Sequence, residues 1–236
     1  MKGKIFLIPT TLGSEEILKG LPAEVKTSVE SISCFIVENV RTARRFIKKL
    51  VPDKIIDEIT FFELNEHSNP VNYNEYITPA LSGTDIGIIS EAGNPGIADP
   101  GAEIVKLAHQ NDIQVIPLVG PSSILLALIS SGLNGQNFAF NGYLPVERSE
   151  RIRKIQSLEN RSKSEQQSQI FMETPYRNMK MLEDILTTCK PSTLLCIAAD
   201  ITLQTEFIKT KSIVDWKKKI PQIDKRPCIF IIHSGL

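Results

Sequence analysis

Cysteine is scarce and scattered in this 236-residue sequence: Cys34, Cys189, Cys196 and Cys228 form no Cys-x-x-Cys pair and lie mostly within apolar runs. That spacing argues against a disulfide framework or a structural zinc site, and it points to buried thiols in a reducing compartment, with a cytoplasmic location the expectation. Histidine is scarcer still. His109 and His233 have no acidic or cysteine neighbour at ligand spacing and His67 suits surface or capping duty, so no metal is expected. Excess charge is missing altogether: 27 basic side chains balance 27 acidic ones. The whole-molecule field that draws strongly basic proteins to nucleic acid is therefore excluded, and any such contact must rest on a local patch. No apolar run approaches the roughly 18 residues of a membrane span, and the opening Met1 to Pro9 holds too short an apolar stretch for a signal segment. Neither Gly-x-Gly-x-x-Gly nor Gly-Lys-Ser/Thr occurs, which leaves dinucleotide and P-loop readings with little support.

What is present is an ordinary globular balance, 42% hydrophobic and 23% charged, in a chain long enough to bury a real core. Strand-length apolar runs alternate with helix-periodic segments, the pattern of parallel βαβ units. Strands are expected at Lys4–Ile8, Cys34–Val37, Ile59–Leu64, Asp85–Ile89 and Gln114–Val119, with helices at Leu21–Ile32, Thr42–Leu50, Asn72–Leu81, Ala102–Gln110 and Ser122–Ser131. Later, strands are expected at Phe138–Leu144, Ile170–Glu173, Leu194–Ala199, Glu206–Lys211 and Cys228–His233. Helices are expected at Arg148–Asn160, Asn178–Thr188 and Val214–Lys219, and Arg161–Gln169 reads as a solvated polar loop. Consecutive strands late in the chain imply antiparallel pairing. The fold class is α/β in two domains: residues 1–118 with a parallel sheet, and 119–236 with a mixed one.

Glycine and proline concentrate where strands end. Ser90-Glu91-Ala92-Gly93-Asn94-Pro95-Gly96-Ile97-Ala98-Asp99-Pro100-Gly101 follows one strand, Val119-Gly120-Pro121-Ser122-Ser123 the next, and Pro9-Thr10-Thr11-Leu12-Gly13-Ser14 the first. Glycines admit close backbone approach, prolines hold a loop in shape, and helix N-termini offer unpaired N–H groups. Three such loops point to one ligand cleft at the carboxyl ends of the strands, where open α/β sheets bind. A side chain at Gly93 is expected to fill space the ligand needs.

Charged candidates cluster at two further strand ends. Glu38-Asn39-Val40-Arg41 offers Glu38 and Arg41 for the same cleft, or a helix-start carboxylate and a solvated arginine. Glu173-Thr174-Pro175-Tyr176-Arg177 repeats the arrangement, with Tyr176 and Arg177 able to stack on or pair with a substrate. Arg148, Arg151, Arg153 and Lys154 form the best local basic patch, read either as phosphate binding or as a solvated helix face.

Taken in order, Pro9-Thr10-Thr11-Leu12-Gly13, Ser90 to Pro95 with Asp99-Pro100-Gly101, Val119-Gly120-Pro121-Ser122, Gly142-Tyr143-Leu144-Pro145 and Glu173 to Arg177 resemble the tetrapyrrole methylase superfamily. Within it they are most similar to the ribosomal RNA small subunit methyltransferase I branch, which 2′-O-methylates a cytidine of 16S rRNA. The resemblance implies a homodimer that folds S-adenosylmethionine into the cleft between its two domains. It implies that Pro9 and Gly13 wall that cleft, that Ser90, Glu91, Ala92, Gly93 and Asn94 hold the methionine end, and that Pro121 and Ser122 line the pocket. Leu144 and Pro145 are then expected near the adenosine, with Ala199 on a strand edge beside it. Glu38 is the first choice for a base, ahead of Glu66 and Asp200, with Arg41 and Arg177 orienting an anionic part of the substrate.

The departures fall on charged positions. The family's Glu-Asp-Thr-Arg reads Glu38-Asn39-Val40-Arg41, its Ser-Asp-Ala-Gly-Thr-Pro reads Ser90 to Pro95 with Glu91 and Asn94, its Ala-Arg-Glu-Leu-Thr-Lys reads Ala198 to Leu203, and its Lys-Gly-Glu reads Lys225-Arg226-Pro227. A methyltransferase for a tetrapyrrole or other small molecule, and a non-catalytic S-adenosylmethionine-binding protein, therefore stand beside the RNA reading.

Overall fold

The alternation of short apolar runs with amphipathic segments builds two α/β units, Met1–Ser122 and Ser123–Leu236. The computed structural model describes residues 1–17, 20–65, 68, 73–99 and 101–234. In the first unit β1 (Ile5–Ile8), α1 (Ala23–Ser31), β2 (Cys34–Val37), α2 (Val40–Leu50), β3 (Thr60–Glu63), α3 (Tyr73–Leu81), β4 (Ile86–Ile89), α4 (Gly101–Gln110) and β5 (Val115–Pro117) alternate along the chain. The strands form one parallel sheet in the order β3-β2-β4-β1-β5. Strands β2 and β4 are buried along their whole length, which is why both read as unbroken apolar runs rather than alternating ones. Pro117, which cannot donate to a ladder, ends the edge strand β5.

Helix α2 shows how local sequence sets an element. Asn39 caps it, its side-chain oxygen accepting from the N–H groups of Arg41 at 2.9 Å and Thr42 at 3.2 Å. Ala43, Ile47 and Leu50 then turn one stripe into the core. The helix starts two residues earlier than its apolar period indicates because the cap, not the stripe, fixes the start.

The second unit holds α5 (Ser123–Ser131), β6 (Phe138–Tyr143), α6 (Arg148–Glu165), β7 (Ser168–Glu173), α7 (Asn178–Thr188), β8 (Leu194–Ala199), β9 (Phe207–Ser212), α8 (Ile213–Lys218) and β10 (Cys228–His233). Its sheet runs β6-β7-β10-β8-β9, with β6 and β7 parallel and the other pairs antiparallel. A bulge at Asn141-Gly142 shifts the β6 register, and Gly142 takes φ +63° there. Trp216 is buried, its indole N–H donating to the Leu195 carbonyl at 2.8 Å.

Two expectations fail in this unit. Arg161 to Gln169 is not a solvated loop: α6 continues to Glu165, Gln166 closes it at φ +50°, and β7 starts at Ser168. Ser162, Gln167, Ser168 and Gln169 are buried there because each has a partner. Ser162 Oγ accepts from the Ser234 N–H at 2.8 Å, Gln167 Nε2 donates to Asn137 Oδ1 at 2.8 Å, and Ser168 Oγ donates to the Asn134 carbonyl at 2.9 Å. Nor is the Arg148 to Lys154 run one basic surface. Arg151 is buried and holds Asp184 Oδ2 at 2.6 Å, and Arg148 Nε reaches Asp184 Oδ1 at 2.9 Å, so one carboxylate occupies two of the four cations.

All four cysteines are buried. Burial pushes the Cys34 thiol up to about 11 and raises those of Cys189, Cys196 and Cys228 as well. Among the described residues no helix is long and apolar enough to cross a membrane.

Removing Asp184 strands the buried Arg151 guanidinium, so Asp184→Ala is expected to lower unfolding free energy by about 3–5 kcal/mol. Arg153→Ala, on the exposed side of the same helix, is expected to stay within about 0.5 kcal/mol. Urea denaturation followed by circular dichroism separates the two.

Candidate functional site

The three glycine and proline loops meet at the carboxyl ends of β1, β4 and β5, all inside the first unit. The Thr10 N–H donates to the Gly93 carbonyl at 2.9 Å, and Thr10 Oγ1 donates to the Ser90 carbonyl at 3.3 Å. Asn94 Nδ2 donates to the Pro121 carbonyl at 3.2 Å. These bonds tie the second loop to both of the others. The approach is closest at Gly120, where an added Cβ would sit 2.1 Å from Pro9 Cβ. Only glycine fits there.

Gly93 adopts φ +73°, and a Cβ on it would meet the Pro121 carbonyl at 3.2 Å and Leu12 Cδ2 at 3.3 Å. A side chain at Gly93 therefore presses on the loops themselves. Downstream, Asp99 accepts from the Gly96 N–H at 2.9 Å and the Gly101 N–H at 2.7 Å, closing the turn into α4.

Glu38, half-buried at the end of β2, faces this turn. Burial raises its pKa, the Asp99 charge raises it further, and the Glu91 charge adds to both, against a hydrogen bond from the Glu91 backbone N–H that stabilises the ionised form. Asp99 is also raised, by burial above all, against the Gly96 and Gly101 N–H groups. Glu91 accepts from Thr42 Oγ1. Three carboxylates thus gather where β2 and β4 end, and Glu38, Ser90 and Asp99 line one small recess there. Beside it lies an open cavity of about 480 Å³ whose walls include Thr10, Gly13, Ser90, Glu91, Arg45 and Lys49. Arg41 is exposed at the start of α2, near Asn39 and Glu63.

Of the residues expected at the site, Pro9, Gly13, Ser90, Glu91, Ala92, Gly93, Asn94 and Pro121 lie on these loops, with Ser122 the last residue of the first unit. In the second unit Leu144 and Ala199 belong to the hydrophobic core, Ala199 with no exposed surface, and the Pro145 carbonyl accepts from Arg151 Nη1 at 3.3 Å. Arg177 turns back onto Glu173, with Nη2 2.6 Å from Oε1. Asp200, a weaker candidate base, is held by Arg226 Nε and Thr205 Oγ1, each 2.7 Å from Oδ2, which makes it a structural carboxylate. Glu66 and His67 lie outside the described residues. Asp99 and Thr42 escaped the sequence reading, although Asp-Pro-Gly at a helix start was a visible cap signal.

No protein-family profile matches the chain. The chain is 28% identical over 236 residues to a ribosomal RNA small subunit methyltransferase I from Buchnera aphidicola subsp. Schizaphis graminum, covering 99% of this chain and 79% of that protein. A protein of the same name from Vibrio cholerae serotype O1 is 28% identical over 98% of this chain and 77% of its own length. Among solved structures, the methyltransferase CobJ superposes with a TM-score of 0.65 at 13% identity, covering 99% of this chain and 95% of that one. Uroporphyrin-III-C-methyltransferase from Thermus thermophilus gives 0.56 at 14% identity over 99% and 95%. These likenesses bear out the α/β tetrapyrrole-methylase-like fold and the resemblance read from the loops.

Gly120→Ala is expected to cost about 1–3 kcal/mol of stability through overpacking against Pro9. Gly96→Ala, at φ +85° with open space around it, should cost only its backbone strain, about 1 kcal/mol. Thermal melting of the two variants distinguishes a crowded loop contact from a merely left-handed one.

Proposed function

We propose that this S-adenosylmethionine-dependent methyltransferase 2′-O-methylates a ribose of 16S ribosomal RNA, working as a homodimer in the cytoplasm. The observation that carries the reading is the likeness to ribosomal RNA small subunit methyltransferases over 98–99% of the chain. It is supported by a site whose charges suit both donor and acceptor. The tetrapyrrole enzymes among the structural neighbours share the fold at 13–14% identity and lend their substrates no comparable support.

The residues present fit the donor. Its sulfonium supplies an already activated methyl group, so the protein's task is to hold the acceptor oxygen in line with it. Carboxylates of Glu38, Glu91 and Asp99 create a negative field that a cationic ligand relieves. A cavity of about 480 Å³ is within the usual range for small-ligand sites. On this reading the Ser90 to Asn94 loop holds the methionine end, with Pro9, Gly13, Pro121 and Ser122 walling the pocket.

A ribose hydroxyl is a poor nucleophile until its proton is removed, and Glu38 is the proposed base. Its raised pKa makes it a stronger base than an ordinary carboxylate. Arg41 orients a neighbouring phosphate, and Arg177 does so on release from Glu173.

Because Glu38 must be ionised to act, kcat/KM is expected to fall as pH drops through its raised pKa, at a pH above that of an unperturbed carboxylate. Glu38→Gln should lower kcat about 10²–10⁴-fold, with a smaller loss of donor affinity because Glu91 and Asp99 keep the field negative. Transfer of labelled methyl from S-adenosylmethionine to separated RNA and tetrapyrrole fractions tests the acceptor; label in the tetrapyrrole fraction alone overturns the RNA reading.

A further inference from the structure

We infer that the exposed face of α2 is a docking surface for the phosphate backbone of RNA. The inference rests on the RNA reading above and names where that substrate is gripped. Arg41, Arg44, Arg45, Lys48 and Lys49 fall on one 11-residue helix that carries no acidic residue. At about 100° per residue the five cations occupy an arc of about 140°, opposite the buried stripe of Ala43, Ile47 and Leu50. In a chain of zero net charge this is a local concentration of one sign.

The surrounding anions leave most of that charge available. Asp57 pairs with Arg44 at 2.8 Å with both side chains exposed, and Glu91 accepts from Thr42. Glu15, Asp53 and Glu63 stand at the edges of the depressions beside the helix. Lys48 Nζ donates to the Lys54 carbonyl at 3.3 Å. Arg41, Arg45 and Lys49 have no ion-pair partner among the described residues. Lys54, whose Nζ donates to the Glu30 carbonyl at 2.8 Å, extends the basic rim away from the helix.

Position supplies the second argument. Arg45 and Lys49 border the same cavity as Thr10, Ser90 and Glu91, and Arg45 also borders the two depressions on the other side of the helix. The basic face is therefore continuous with the candidate site. A strand tracked along α2 by its phosphates would bring a ribose to the carboxylates at the ends of β2 and β4, which by themselves repel a polyanion. Arginine and lysine on a helix face supply sequence-independent contacts of this kind. The alternative patch on α6 is weakened by Asp184, which holds Arg148 and Arg151.

The test is filter binding of transcribed 16S rRNA across a potassium chloride series, using full-length protein. The variant carries Arg45→Ala, Lys48→Ala and Lys49→Ala, all exposed positions, with folding checked by circular dichroism and melting. The expected result is affinity weaker by about tenfold or more at low salt and a log–log salt slope shallower by about 2. Arg153→Ala with Lys154→Ala on α6 should keep the wild-type slope. An unchanged slope and affinity in the folded α2 variant, or equal losses from the α2 and α6 variants, would overturn the assignment while leaving the RNA reading intact. Wild-type protein without salt-dependent affinity for the rRNA would sink both.

Discussion

Gly120 lies against Pro9 with no room for a Cβ between them, and the candidate site depends on that contact. It brings the loop after β5 onto the loop after β1, so that the Asn94 amide can reach the Pro121 carbonyl and the Thr10 N–H can reach Gly93. The three loops thus hold one another by hydrogen bonds before any ligand arrives. A site ordered in advance spends less binding energy on fixing its own backbone. The parallel sheet contributes the rest, since its strands all deliver their carboxyl ends to one side.

Zero net charge conceals a strong separation of sign within the first unit. Carboxylates of Glu38, Glu91 and Asp99 collect at the strand ends, while five cations line the helix that starts there. Asn39 joins the two regions: it follows Glu38 directly and caps α2. The negative part suits a cationic donor and a base; the positive part suits an anionic acceptor. Neither region would be predicted from composition, because each cancels the other in the total.

Much of the fold was legible. Cys34–Val37 and Cys228–His233 are strands with the bounds their apolar runs indicate, because a strand buried on both faces leaves no alternation to misread. The loops were legible because glycine and proline there answer a backbone demand, seen in the positive φ of Gly13, Gly93 and Gly96. The tail of α6 was not. Ser162, Gln167 and Ser168 look solvated in sequence and are buried through partners such as Ser234 and Asn137, which are remote along the chain or meaningless until the sheet forms. The same blindness misread Arg151, whose partner Asp184 lies 33 residues away, and hid the Asp99 and Glu91 charges that act on Glu38. Helix α2 was a different kind of miss: its cations were in plain sight, and only the helix phase showed that they share a face.

The buried cysteines have a practical consequence. Cys34, Cys189, Cys196 and Cys228 are enclosed, and their thiols stay protonated at neutral pH. A maleimide dye therefore finds no native target until the protein opens, and the chain arrives already blank for site-specific labelling. Two cysteines introduced one on the solvent side of each unit would be the reactive thiols, so a fluorophore pair could report distances between Met1–Ser122 and Ser123–Leu236 without stripping sulfur from the core.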